Sequence, residues 1–154
     1  PKLIYRAFRE EVPDETYTIS LGEAAVRREG TDISVFTYGA MARPTLDAAE
    51  ALAEEGVDAE VVDLRTLSPL DRETIVESFK KTGRAVVVHE APKTLGMGAE
   101  VVATLQETAL PYQEAPIERV TGYDVPFPLY DLENFYLPNA VRVSEAIERV
   151  VDYR

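Results

Sequence analysis

Ala85-Val-Val-Val-His-Glu-Ala-Pro-Lys-Thr-Leu-Gly-Met-Gly-Ala-Glu-Val-Val102 is the stretch on which the fold turns. The β-branched run Val86 to Val88 reads as a buried strand. It ends in His89, the one histidine of the chain, followed at once by Glu90. Pro92 forces a loop, and Gly96 and Gly98 open a helix. A strand, a polar strand end, a glycine loop and a helix start are the parts from which α/β proteins build sites at the carboxyl edge of a sheet.

The flanks repeat the pattern. Residues 33–38 and the valine-rich residues 59–64 predict two more strands. Between them, residues 44–55 read as a helix with Leu46, Ala49, Leu52 and Ala53 on one face, closed by Gly56. Ser68-Pro-Leu-Asp71 is a helix-start signal in which Ser68 can cap, Pro69 suits the first turn and Asp71 favours the positive helix end. That helix runs to Thr82 with Ile75, Val76 and Phe79 inward, and Gly83 stops it. Three strands separated by two helices of ordinary length imply a parallel sheet covered on both faces. The helix after Gly98 is expected to bury Val102, Leu105 and Ala109. Residues 116–121 suggest a further strand and residues 17–21 a short one. Residues 139–152 suggest a last helix with Val143, Ala146, Ile147 and Val150 at helical spacing. Residues 1–16 mix charges with Pro13 and read as a connector from a missing upstream domain, leaving 17–154 as one domain.

Composition narrows the function classes. The chain has 154 residues, 45% of them hydrophobic, which suits one globular domain. Cysteine is absent, which removes disulfides, thiolate chemistry and cysteine-based zinc sites, and suits a cytoplasmic location. No apolar run approaches the ~20 residues of a membrane span. The net charge is −12, so a nucleic-acid partner is not expected. Lysine occurs only at Lys2, Lys80, Lys81 and Lys93 against 28 acids. Such a surface suits a halophile or an ordinary acidic cytoplasmic protein, and it suits a basic protein partner.

The candidate chemistry is sparse. Gly96-Met-Gly98 begins like a dinucleotide fingerprint, but Val101 stands at the third glycine position and no Walker A sequence is present. The bland alternative is that both glycines let a helix pack closely on the sheet. His89 and Glu90 stand where a general base could stand, and they are the candidate catalytic residues. Against that, no serine-nucleophile motif accompanies them, and no second histidine suggests a metal site. Arg27, Arg28 and Arg43 could touch an anion, although exposed arginines are ordinary. The aromatic and proline stretch from Tyr123 to Pro138 suits burial in an interface, or a loop packed on its own domain.

Several motifs, taken together, support a resemblance. They are Phe8-Arg-Glu-Glu-Val-Pro13, Gly39-Ala-Met41, Ala59-Glu-Val-Val-Asp-Leu-Arg65, Ser68-Pro-Leu-Asp71, Lys81-Thr-Gly-Arg84, His89-Glu-Ala-Pro92, Ala115-Pro-Ile-Glu-Arg-Val-Thr-Gly122 and Tyr136-Leu-Pro138. Across essentially the whole chain they resemble the carboxyl-terminal domain of the β subunit of 2-oxo acid dehydrogenase E1, in the transketolase superfamily. The resemblance implies a three-layer α/β/α domain with a mostly parallel five-stranded sheet and one antiparallel edge strand. It implies an α2β2 enzyme that uses thiamine diphosphate and magnesium to decarboxylate a 2-oxo acid and pass the acyl group to the lipoyl arm of E2.

The family's cofactor-activating glutamate lies upstream, and the diphosphate is gripped by the α subunit. The chain alone is therefore expected neither to bind the cofactor tightly nor to catalyse the reaction. The partners implied are the E1 α subunit, a second E1 β subunit and the small basic subunit-binding domain of E2. The family's docking acid maps onto Glu114 and the subunit's terminal carboxylate onto Arg154, where a partner arginine could bind through paired hydrogen bonds. In that reading His89 and Glu90 form a wall presented to a neighbouring subunit. The competing readings are the corresponding domain of another superfamily enzyme, such as deoxyxylulose-phosphate synthase, and a free-standing nucleotide-binding regulator.

Overall fold

The computed structural model describes residues 4–5, 7–128 and 130–154. Residues 1–3 and 6 of the predicted connector lie outside the described residues. Its sheet has five strands: β1 (Ala25–Arg28), β2 (Ile33–Thr37), β3 (Ala59–Asp63), β4 (Ala85–Pro92) and β5 (Glu118–Gly122). Their spatial order is β1-β3-β2-β4-β5. All neighbours are parallel except β1, which runs antiparallel to β3 at the edge.

The crossovers follow from this order. The chain passes from β2 to β3 through α1 (Ala42–Glu54), then back past β2 to β4 through α2 (Arg72–Thr82). Because the direction reverses, a constant crossover handedness requires the second helix to take the opposite face. The next step, through α3 (Gly98–Thr108) to β5, continues in the same direction and stays on the α2 face. α4 (Glu133–Tyr136) is a single turn, and α5 (Ala140–Val151) returns to the α1 side. The two cores match the two faces. Leu52 of α1 and Ile147 of α5 pack with Val35, Val61 and Val88. Ile75 and Phe79 of α2 and Leu105 of α3 pack with Phe36, Val62 and Val87. Alternate residues of each strand feed opposite layers, which is why these strands are nearly continuous β-branched runs.

Several expectations change in detail: in α1 Ala53 is exposed, and Ala48 is buried in its stead. Residues 17–21 form no strand. Every described residue from 7 to 21 is exposed, and the antiparallel edge is Ala25–Arg28 instead. Ser68 does not cap α2. It lies in a turn between Leu67 and Leu70, and Asp71 is the N-cap, accepting from the Thr74 amide at 3.0 Å. The other Asp71 oxygen accepts from the Ala24 amide at 2.8 Å, so one carboxylate caps the helix and fixes the entry to β1. In α3 the buried valine is Val101, with Val102 only half-buried.

Two polar features shape the edges. Under α2, Glu60 of β3 is 1% exposed. Its carboxylate accepts from the Ser78 hydroxyl at 2.6 Å and from the Lys81 ammonium, and Ser34 joins Ser78 and Thr82 beside it. At the far edge, two arginines of α5 reach β5. Arg142 donates to the Thr121 carbonyl at 2.6 Å, and Arg149 grips Glu118 with two hydrogen bonds of 3.0 and 2.9 Å.

Candidate functional site

In an open α/β sheet, ligands bind beyond the carboxyl ends of the strands, where the strand order reverses. Here the reversal lies between β2 and β4. Tyr38 follows β2, and His89 and Glu90 close the buried part of β4. The Tyr38 and His89 rings stack with centroids 6.0 Å apart.

His89 is fully buried, so it is not a wall presented to a neighbour. Its Nδ1 lies 3.1 Å from the Ala91 carbonyl, to which it donates as the protonated nitrogen. Nε2 then carries only a lone pair, and it has no partner among the described residues. The glycine loop explains the burial. A Cβ on Gly96 would stand 2.5 Å from His89 Cε1, and one on Gly98 would stand 2.7 Å from Nε2. Neither glycine has a positive φ. Both are there for space: the loop is a mould around the imidazole, and the position a phosphate would take in a nucleotide loop is filled by a ring.

Burial, more than any neighbouring charge, holds the His89 pKa below its ordinary value. The Ala91 hydrogen bond opposes this and the Arg119 charge adds to it. Because the folded-state pKa is lowered, stability is fully present above the unfolded value of about 6.5 and is lost as pH falls below it. Unfolding by urea between pH 7 and 5.5 is therefore expected to show a falling stability in the parent chain. In His89→Asn, which keeps a donor toward Ala91, that fall should be absent; an unchanged pH slope would overturn the assignment.

Glu90 is half-buried and borders a cavity of about 610 Å³ with Pro92, Val125, Phe127, Glu133 and Tyr136. Burial raises the phenol pKa of Tyr38, and the Glu90 charge raises it further. Burial likewise raises that of Tyr136, with the Asp124 and Glu90 charges adding to it. The cavity is thus mostly apolar, acidic at its rim and lined by one phenol, that of Tyr136, which stays protonated. A general base here would need a neighbour to act on, and among the described residues no hydrogen bond joins His89 or Glu90 to a nucleophilic side chain. Nor do the residues fit magnesium diphosphate. Among the described residues no three histidine, aspartate or glutamate side chains come together to hold a metal ion, and the glycine loop is occupied by His89.

The other predicted residues lie at the opposite, amino edge of the sheet. Glu114 precedes β5, and its amide donates to the Gly83 carbonyl at 2.8 Å. Gly83 ends α2 with φ 66°, and a Cβ there would stand 2.7 Å from Glu114 Cγ. The exposed Glu114 carboxylate meets Arg84 at 2.5 Å. With Leu110, Gln113, Ala115, Pro116 and Tyr153 it borders a groove of about 310 Å³. Arg154, also exposed, follows Tyr153, so the two positions mapped from sequence share one end of the molecule. Arg84 had no signal of its own in the sequence beyond Lys81-Thr-Gly-Arg84. Arg28 is tied to Asp58 at 3.0 Å, so it is no free anion contact, and Arg43 lies over the Phe8 ring at 5.2 Å.

The chain and its fold have counterparts in known proteins. The family described as Transketolase, C-terminal domain, matches residues 22–143. The Bacillus subtilis pyruvate dehydrogenase E1 component subunit beta is 51% identical over 97% of this chain and 46% of that protein. The mitochondrial 2-oxoisovalerate dehydrogenase subunit beta of Dictyostelium discoideum is 49% identical over 99% of this chain and 41% of that protein. Among solved structures, a split-gene transketolase in an inactive beta4 tetramer superposes with a TM-score of 0.74 at 34% identity, over 92% of this chain and 45% of that one. The chain thus spans less than half the length of these relatives.

Proposed function

We propose, from the premise that this chain belongs to the transketolase C-terminal domain family, that it forms the carboxyl-terminal part of a 2-oxo acid dehydrogenase E1 β subunit. Its role there is assembly and docking of E2. In such an enzyme thiamine diphosphate supplies the carbanion chemistry that decarboxylates the 2-oxo acid before the acyl group passes to lipoyl-E2. On this reading that chemistry belongs to parts outside this chain, and the domain contributes surfaces. Its partners are the E1 α subunit, a second E1 β subunit and the E2 subunit-binding domain, within a cytoplasmic complex. Among the described residues no helix is long and apolar enough to cross a membrane. The exposed Val125, Phe127, Leu132 and Phe135 around the carboxyl edge support a subunit contact there.

One observation carries the docking role. Glu114 is held outward by Arg84 and the Gly83 turn, at the mouth of a groove that Tyr153 completes. A carboxylate fixed in this way accepts a partner arginine through two parallel hydrogen bonds, at little ordering cost. The −12 charge would speed the approach of a basic module. The relatives' identity favours an E1 β subunit over a deoxyxylulose-phosphate synthase, and the ring-filled glycine loop disfavours a nucleotide-binding regulator.

The test is Glu114→Lys in the complete enzyme, measured as equilibrium and kinetic binding to the E2 subunit-binding domain. Affinity is expected to fall by about tenfold or more, with the loss growing at low salt. Decarboxylation with an artificial electron acceptor should be unchanged. An affinity equal to that of the parent enzyme would defeat the docking assignment.

A further inference from the structure

We propose that the recess at the carboxyl end of β5 binds a phosphate dianion. Lys93, Arg119 and Arg142 converge there with Thr121, Tyr123 and Asp124 around about 290 Å³. In a chain of net charge −12, three cations sharing one recess need a reason.

The two arginines are held in place without pairing to an acid. Arg119 donates to the Lys93 carbonyl at 3.0 Å. Arg142 donates to the Thr121 carbonyl at 2.6 Å and the Tyr136 carbonyl at 3.3 Å, and its guanidinium lies 4.8 Å from the Tyr123 ring centroid. Carbonyls orient these forks without neutralising them. Arg28, Arg72, Lys80, Lys81, Arg84 and Arg149 each pair with a carboxylate. Among the described residues no carboxylate comes within ion-pair distance of Lys93, Arg119 or Arg142. The recess's own acid, Asp124, accepts from the Thr94 amide at 2.9 Å and hydroxyl at 2.8 Å, which hold its pKa below the ordinary value, with a smaller contribution from the Lys93 charge.

A second observation points the same way. Arg142 sits in the first turn of α5, which Asn139 caps and which holds no acidic residue. A cation there faces the positive end of the helix dipole, an arrangement that costs stability until an anion lies between them. Two oriented guanidinium forks and an ammonium suit a group with three charged oxygens better than a single carboxylate. The recess is small for a nucleotide, so the ligand is inorganic phosphate or a small phosphate monoester. The inference stands apart from the proposed docking role, which concerns the opposite edge.

The test is a titration of the chain with inorganic phosphate and, separately, with phenyl phosphate, at ionic strength held constant by potassium chloride. The readout is the nitrogen and proton shifts of the Arg119 and Arg142 side chains and the Gly122 amide. Saturable shifts at millimolar ligand are expected, weakened about tenfold or more in Lys93→Gln and in Arg119→Gln. Neither substitution touches a core residue, and an unchanged thermal midpoint verifies that both variants fold. Tighter binding of phenyl phosphate supports a monoester stacked on Tyr123, and equal binding supports free phosphate. Shifts that never saturate, that chloride reproduces, or that persist in the two variants overturn the proposal.

Discussion

Gly98→Ala is expected to destabilise the fold by about 2–4 kcal/mol, and His89→Ala in the same molecule is expected to return a large part of that loss. The three atoms nearest the new methyl are all in side chains, His89 Nε2 at 2.7 Å, Cδ2 at 2.9 Å and Arg119 Cδ at 3.3 Å. With the ring gone the two shortest contacts are gone, so the two substitutions should couple favourably by more than about 1 kcal/mol. Gly96→Ala supplies the control. Its methyl would also stand 2.4 Å from the Pro92 carbonyl, which no side-chain truncation removes. Urea unfolding at pH 8, where the imidazole is neutral in either state, measures the whole cycle. If His89→Ala rescues both glycine variants alike, or neither, the mould around the imidazole is not what fixes these glycines.

Lys81→Met is expected to cost about 2–3 kcal/mol. Glu60 is 1% exposed, and its two carboxylate oxygens are served by Ser78 and Lys81. Removing the ammonium strands a buried charge. The cost falls below that of a fully buried pair because the Lys81 side chain is 40% exposed and water can reach the gap. Adding Glu60→Gln should recover stability, since a neutral amide needs no counter-charge. The hydrogen bond to Glu60, more than any other cause, raises the Lys81 pKa, with Glu29 contributing less. The pair's contribution is therefore complete below pH ~10.5 and declines as pH rises through the raised value. A loss under about 0.5 kcal/mol in urea unfolding at pH 7 would mean that solvent already screens the pair.

The parts of the fold written in apolar repetition were legible from sequence. The strands of Val35, Val61 and Val87 declare themselves, because a parallel sheet buried on both faces leaves polar residues few places. β1 was not legible. Ala25-Val-Arg-Arg28 pairs with β3 along one edge and has no fully buried residue, so its pairing comes from a neighbour and not from its own pattern. The Glu60 network was also hidden. A glutamate inside a valine run looks like an outward residue until α2 sets Ser78 and Lys81 over it.

At the carboxyl edge, sequence located His89 and the two glycines but not their relation. The contact between ring and loop exists only once β4 and α3 are packed. At the amino edge, Glu114 was reached through a resemblance, while Arg84 and Tyr153, which fix and border it, emerged only from the fold.

The two arginines that α5 lays against β5 bear on how this molecule behaves in a crowd. An unmated strand is an invitation to any other chain with free backbone groups, and open sheets grow by accepting it. On one flank the invitation is brief, since β1 has four residues and slips register between Val26 and Arg28. On the other, Arg142 already occupies the Thr121 carbonyl and Arg149 locks Glu118. A second copy arriving at either flank meets a short, kinked ribbon or a guanidinium, not a bare ladder. Each rim is thereby partly guarded against pairing with another strand.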